Sequence, residues 1–130
     1  MNIRMPVLIA TAVMALTSFQ AVAEEGLKLS NKWRIEVSEG ANSDGNIVFR
    51  VTPDQGTPTD VTVAIKDGRS ENNVAKDIVA GLKQGLDTKV YKVERDDGED
   101  VLVKKRKGPN FELKLVESTV KSVRINVAKE

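Results

Sequence analysis

Apolar residues recur at helical spacing in one stretch of the chain and at strand spacing almost everywhere else. Val74, Ile78, Leu82 and Leu86 repeat every fourth position, with Ala75 and Val79 widening the stripe, so Ser70–Leu86 predicts an amphipathic helix. Asn73, Lys76, Asp77, Lys83 and Gln84 form its polar face. Ser70 is the expected N-cap, its hydroxyl accepting from a backbone N–H of the first turn, and Glu71 sets negative charge at the positive end of the helix dipole. Asn73 stands where a capping box would have Glu or Gln, leaving that box incomplete. Gly81 and Gly85 each weaken the helix by up to about 1 kcal/mol relative to Ala, so it needs tertiary support. Gly81 could also permit close approach to a sheet, but simple tolerance is the preferred reading. The apolar stripe is read as facing a core instead of a membrane.

Before and after this helix the period is two. Trp33, Ile35 and Val37 alternate with Arg34, Glu36 and Ser38, and Ile47, Phe49 and Val51 follow the turn-rich run Gly40–Asn46. Thr52–Pro58 reads as a loop, both of its prolines being ill suited to a central strand. Val61, Val63 and Ile65 make a third strand. Beyond Leu86, Val90–Arg95 and Val101–Val103 flank the hairpin-like loop Asp96–Asp100. Phe111, Leu113 and Leu115, then Val123, Ile125 and Val127, supply two more strands. The order is βββαββββ. Short connections favour antiparallel neighbours, so the expected fold is α+β: one twisted sheet or two small sheets, predominantly antiparallel, packed on one helix. Strand order is not fixed by the pattern.

The first residues do not belong to that fold. Arg4, the mostly apolar run Val7–Phe19 and the small-x-small triplet Ala21-Val22-Ala23 read as a secretory signal cleaved before Glu24. The expected organisation is therefore a leader at 1–23 and one small domain at 24–130, periplasmic or secreted, with a bacterial periplasm the leading location. Without cysteine the domain has no disulfide and no acceptor for lipid at its new N-terminus. The chain holds 20 basic and 19 acidic side chains, and Arg4 is the one charge in the leader, so the mature domain is balanced. That balance, with few aromatic residues, argues against a nucleic-acid partner.

Candidate chemistry is sparse. The sequence has neither His nor Cys, so the common general base, the thiolate nucleophile and the usual zinc ligands are missing from it. Glu94, Asp96, Asp97, Glu99 and Asp100 leave carboxylate-only hydrolysis open, although they surround a glycine turn where solvent keeps carboxylates ordinary. Asp96–Asp100 and Asn42–Asn46 are rich in oxygen and could hold calcium, yet neither has the full calcium-loop spacing, and turn chemistry accounts for both equally well. No cofactor is expected.

The remaining charged feature is Lys104, Lys105, Arg106 and Lys107. Such a run protects a strand edge from aggregation, or meets an anionic envelope component. Together with the acidic tip at Asp96–Asp100 it makes a dipolar hairpin, able to pair with another copy or to bridge internally to Glu112 or Glu117. Trp33 is read as a core residue.

The run Val74-Ala-Lys-Asp-Ile-Val-Ala-Gly-Leu82, with Val90–Val93, Asp97-Gly98 and Val101-Leu-Val103, resembles half of an envelope BON domain. That resemblance implies a phospholipid-surface role and a second helix, but here the tail reads as strands and no residue role transfers. A similar Val-Ala-x-x-Ile-x-x-x-Leu helix occurs in phage-tail-like assembly domains.

These readings converge on an exported, non-catalytic binding or accessory protein of the bacterial envelope. It would touch an envelope protein or anionic component through its sheet surface, with Lys104, Lys105, Arg106 and Lys107 as the electrostatic contact. The alternatives are a self-associating subunit using an exposed sheet edge, a phospholipid-surface module, or a carboxylate hydrolase.

Overall fold

Alternating residues along seven strands turn one face of each inward, and two sheets close over the apolar side. The computed structural model describes residues 26–130, so the expected leader and its cleavage site lie outside the described residues. In chain order the elements are β1 (Lys32–Ser38), β2 (Gly45–Pro53), β3 (Thr59–Ile65), α1 (Glu71–Gly85), β4 (Tyr91–Asp96), β5 (Asp100–Lys105), β6 (Phe111–Ser118) and β7 (Arg124–Lys129). All strand pairings are antiparallel, and the fold is α+β in the expected βββαββββ order. A four-stranded sheet runs β4-β5-β1-β7, and a three-stranded sheet runs β3-β2-β6. Ile35, Ile47, Phe49, Val101, Val103 and Phe111 are fully buried and belong to one core cluster reaching from both sheets to the helix.

The helix bridges the sheets, lying against β3 of one and β4 of the other. Ser70 caps it as expected, accepting from the Asn73 N–H at 3.3 Å. Val74, Ala75, Ile78 and Leu82 are buried. Burying Val74, Ile78 and Leu82 contributes roughly 2 kcal/mol each, which exceeds the penalty of the two glycines. Both glycines are close contacts, against the preferred reading of Gly81: a Cβ on Gly81 would stand 2.8 Å from Val63 Cγ2 and one on Gly85 2.8 Å from Val61 Cγ2. The helix backbone therefore rests directly on β3, and Gly81 is a contact point and not merely tolerated.

Strand β2 is also longer than its alternation suggests, running through to Pro53 in the middle of its sheet. The register explains this. Pro53 stands opposite Phe111, whose N–H and carbonyl both turn away from β2 to Ser30, each bond measuring 3.0 Å. No N–H is called for at Pro53, so the ring costs the ladder nothing.

Strands β6 and β7 are consecutive but do not form a hairpin. Their linker is tied to the loop between β1 and β2: Thr119 N–H donates to Asn46 O at 2.9 Å, Lys121 N–H to Ser43 Oγ at 2.9 Å, and Asn42 N–H to Lys121 O at 3.0 Å. Val120 plugs that end of the core. Fixed in this way, β6 joins β2 while β7 joins β1, so the two edges splay into a cleft.

Candidate functional site

The cleft encloses about 1060 Å³. Trp33, Leu113, Leu115, Ile125 and Val127 line its inner part, Leu27 and Lys28 of the N-terminal arm stand at its mouth, and it continues over the edge of β6 onto the outer face past Glu112, Lys114, Arg50 and Thr52. Trp33 is 4% exposed and donates its indole N–H to Phe111 O at 2.9 Å, which fixes the ring below the opening. Leu115, Ile125 and Val127 are only half-buried, unlike their counterparts in the other strands.

Hydrogen-bond parity shows what faces the gap. Phe111 spends its backbone groups on Ser30, away from β2, so Leu113 and Leu115 direct theirs the same way. Glu130 N–H donates to Lys32 O at 3.0 Å, so even-numbered positions of β7 bond to β1 and Ile125 and Val127 point outward. Because β6 and β7 share no ladder, the N–H and C=O groups of these four residues line two edges that are open among the described residues and face each other. The outer edges of β3 and β4, by contrast, lie beside α1.

The arm does not fill the gap, for a reason legible in its residues. Ser30 pairs with Phe111, and continuing that register would set Lys28 beside Leu113 with its ammonium directed at the core. Instead the Lys28 N–H donates to a Glu112 carboxylate oxygen at 3.0 Å, and pairing stops. The arm accordingly adds little to the core: Leu27 is exposed and Leu29 half-buried.

On the outer face of β3-β2-β6 runs a ladder of charge. Asp60 stands opposite Arg50, and Arg50 opposite Lys114. Arg50 holds both Asp60 oxygens, Nε to Oδ1 at 2.7 Å and Nη2 to Oδ2 at 3.0 Å. That pairing keeps the Asp60 carboxyl below its ordinary range. Lys114 makes no ion pair among the described residues and has a like charge as its cross-strand neighbour.

The basic run picked out by sequence is dispersed. Lys104 lies on the outer face between Lys92 and Lys32 and reaches Glu94 at 3.8 Å, not Glu112 or Glu117. Lys105 Nζ donates to Gly108 O at 2.8 Å and Arg106 Nε to Thr88 O at 2.9 Å. Lys107 stands apart on the rim of a smaller hollow of about 480 Å³, beside Leu86, Val90, Tyr91 and Pro109. Burial raises the Tyr91 hydroxyl above its ordinary pKa there.

The oxygen-rich loops are engaged internally. The Arg34 guanidinium donates to Asp100 at 2.6 Å, Asp96 at 3.1 Å and Glu130 at 2.9 Å, and the bond from Arg34 holds the Glu130 carboxyl below its ordinary value. Asp97 and Gly98 turn the β4–β5 loop at φ 46° and 75°, a left-handed pair that suits Gly98. Asp44 accepts the Asp67 N–H at 2.8 Å, and Asn42 donates to Ser122 Oγ at 2.7 Å. Among the described residues no three acidic side chains gather as a metal site, and no helix is long and apolar enough to cross a membrane.

Trp33 is a core residue, as its alternation predicts, and also lines the cleft, whereas nothing in the pattern singled out Leu115, Ile125, Val127 or Lys114 as site residues. Alternation announced their strands but could not say that two of the edges would be left without neighbours. No family model matches the chain, and no curated protein was found similar to it.

Proposed function

We propose that this is a small non-catalytic binding protein of the bacterial envelope, exported with loss of its leader after Ala23, that holds an extended segment of an envelope protein in the β6–β7 cleft. One observation carries the reading: two strand edges without a partner among the described residues face each other across a half-buried apolar floor. Such edges offer backbone donors and acceptors at strand spacing, and apolar positions between them receive alternate side chains of an added strand. The principal contact is placed at the cleft and not at Lys104–Lys107, because Lys104, Lys105 and Arg106 already have partners within the chain.

The test is site-specific photo-crosslinking in intact cells, with the reactive side chain at Leu115 or Val127 and a control at Lys76 on the polar face of α1. The expected result is a discrete protein adduct from both cleft positions in the osmotic-shock fraction, attached to a chain beginning at Glu24. Adducts from Lys76 alone, or none from the cleft, would overturn the proposal. A second reading, self-association along the same edges, is favoured by the uncharged centre of β7, Ile125–Ala128. In that case the crosslinked partner is another copy, and light scattering shows size rising with concentration.

A further inference from the structure

Resting on the reading of the cleft as a strand-binding site, we infer that its occupant is an acidic extended segment, with apolar residues inward and carboxylates outward at alternate positions. The charge ladder carries this. Across the outer face of the three-stranded sheet the order is Asp60, Arg50, Lys114, and the next position in that row belongs to whatever strand is added to β6. Arg50 occupies both oxygens of Asp60. Lys114 therefore ends the row exposed, with the like charge of Arg50 directly beside it, Asp60 acting on it only from one strand farther, and no charge on its other side among the described residues. Like charges directly opposite in a sheet destabilise and opposite charges stabilise, so the row is completed by a carboxylate on the incoming strand.

The other rim also presents a cation, while its acidic Glu130 is held by Arg34. Arg124 is exposed on the outer face of β7, opposite Ser38, and forms no ion pair among the described residues. Lys28 stands at the mouth, and Glu112, the one acidic side chain lining the cleft, already accepts the Lys28 N–H. Inward positions face Leu113 and Leu115 on one side and Ile125 and Val127 on the other, with Trp33 beneath. A basic or neutral segment would meet the same floor and backbone edges but leave Lys114 without its counter-charge.

The single tryptophan of the chain lies in the cleft and reports occupancy directly. Three peptides of about eight residues, a common strand length, alternate valine with glutamate, glutamine or lysine. Each is titrated into the domain beginning at Glu24, following Trp33 emission and the anisotropy of a labelled peptide. The glutamate peptide is expected to bind about threefold to tenfold tighter than the glutamine peptide, with the lysine peptide weakest. Added salt should narrow the difference. Lys114→Glu should reverse the order, and folding is not at risk because the new carboxylate faces Arg50. Equal binding of the glutamate and glutamine peptides, or an order unchanged by Lys114→Glu, would overturn the inference and leave the strand-binding site intact. Failure of all three peptides to bind would overturn both.

Discussion

Gly81 shows how one residue can have opposite effects on helix and fold. In an isolated helix Gly→Ala stabilises by about 1 kcal/mol. Here the added methyl would meet Val63 Cγ2 at 2.8 Å, and Val63 is a buried β-branched residue with little freedom to move. Gly81→Ala is expected to destabilise the protein by about 1–3 kcal/mol in urea unfolding. Adding Val63→Ala should bring the pair above additivity, since the smaller side chain removes the clash. A stabilised single variant would show that the helix does not rest on β3. Sequence alone gave the reverse weight to this glycine. Its cost in the helix is local and visible, whereas its neighbour Val63 is set by a crossing that the letters do not encode.

Arg34 joins elements that the chain order keeps far apart. Its guanidinium ties the tip of the β4–β5 hairpin, through Asp96 and Asp100, to the chain end at Glu130. It also lies opposite Leu102, the one outward residue of β5 that is buried. The Glu130 carboxyl is held below its ordinary value of 4.5, first by the hydrogen bond from Arg34, and Asp60 below 3.8 by Arg50. For a depressed carboxyl the stabilisation is complete above the unfolded value and is lost as pH falls through the folded one. Stability should therefore decline on acidification below about pH 4.5, and the decline should be shallower in Arg34→Met. Urea midpoints measured between neutral pH and pH 3 check this; identical slopes in both proteins would remove the network from the acid response. The hairpin itself was legible, because Asp97-Gly98 between two alternating runs is a local signal. Its fastening was not, since Arg34 and Asp96 come together only through the pairing of β1 with β5.

At the scale of the molecule, two sheets with four lateral edges are closed differently on their two sides. On one side α1 lies across β3 and β4; on the other, β6 and β7 stand apart because the Thr119–Val123 linker is tied to the β1–β2 loop. The fold class and element order could be read from periodicity, which is local. The cleft could not, because it is made by which edges lack a neighbour, a property of long-range pairing. The sequence did mark Lys104–Lys107 as a unit, but in three dimensions those side chains disperse. Lys114, one charge among many along the chain, becomes distinctive only when its row is seen to end there. All of this depends on the edges being open in the free protein. Amide hydrogen exchange, resolved by residue in the domain beginning at Glu24, measures that directly. Leu113, Leu115, Ile125 and Val127 should exchange fast, while Lys114 and Asn126 between them exchange slowly, bonded to β2 and β1. Slow exchange at all six, or the reverse alternation, would contradict the open cleft.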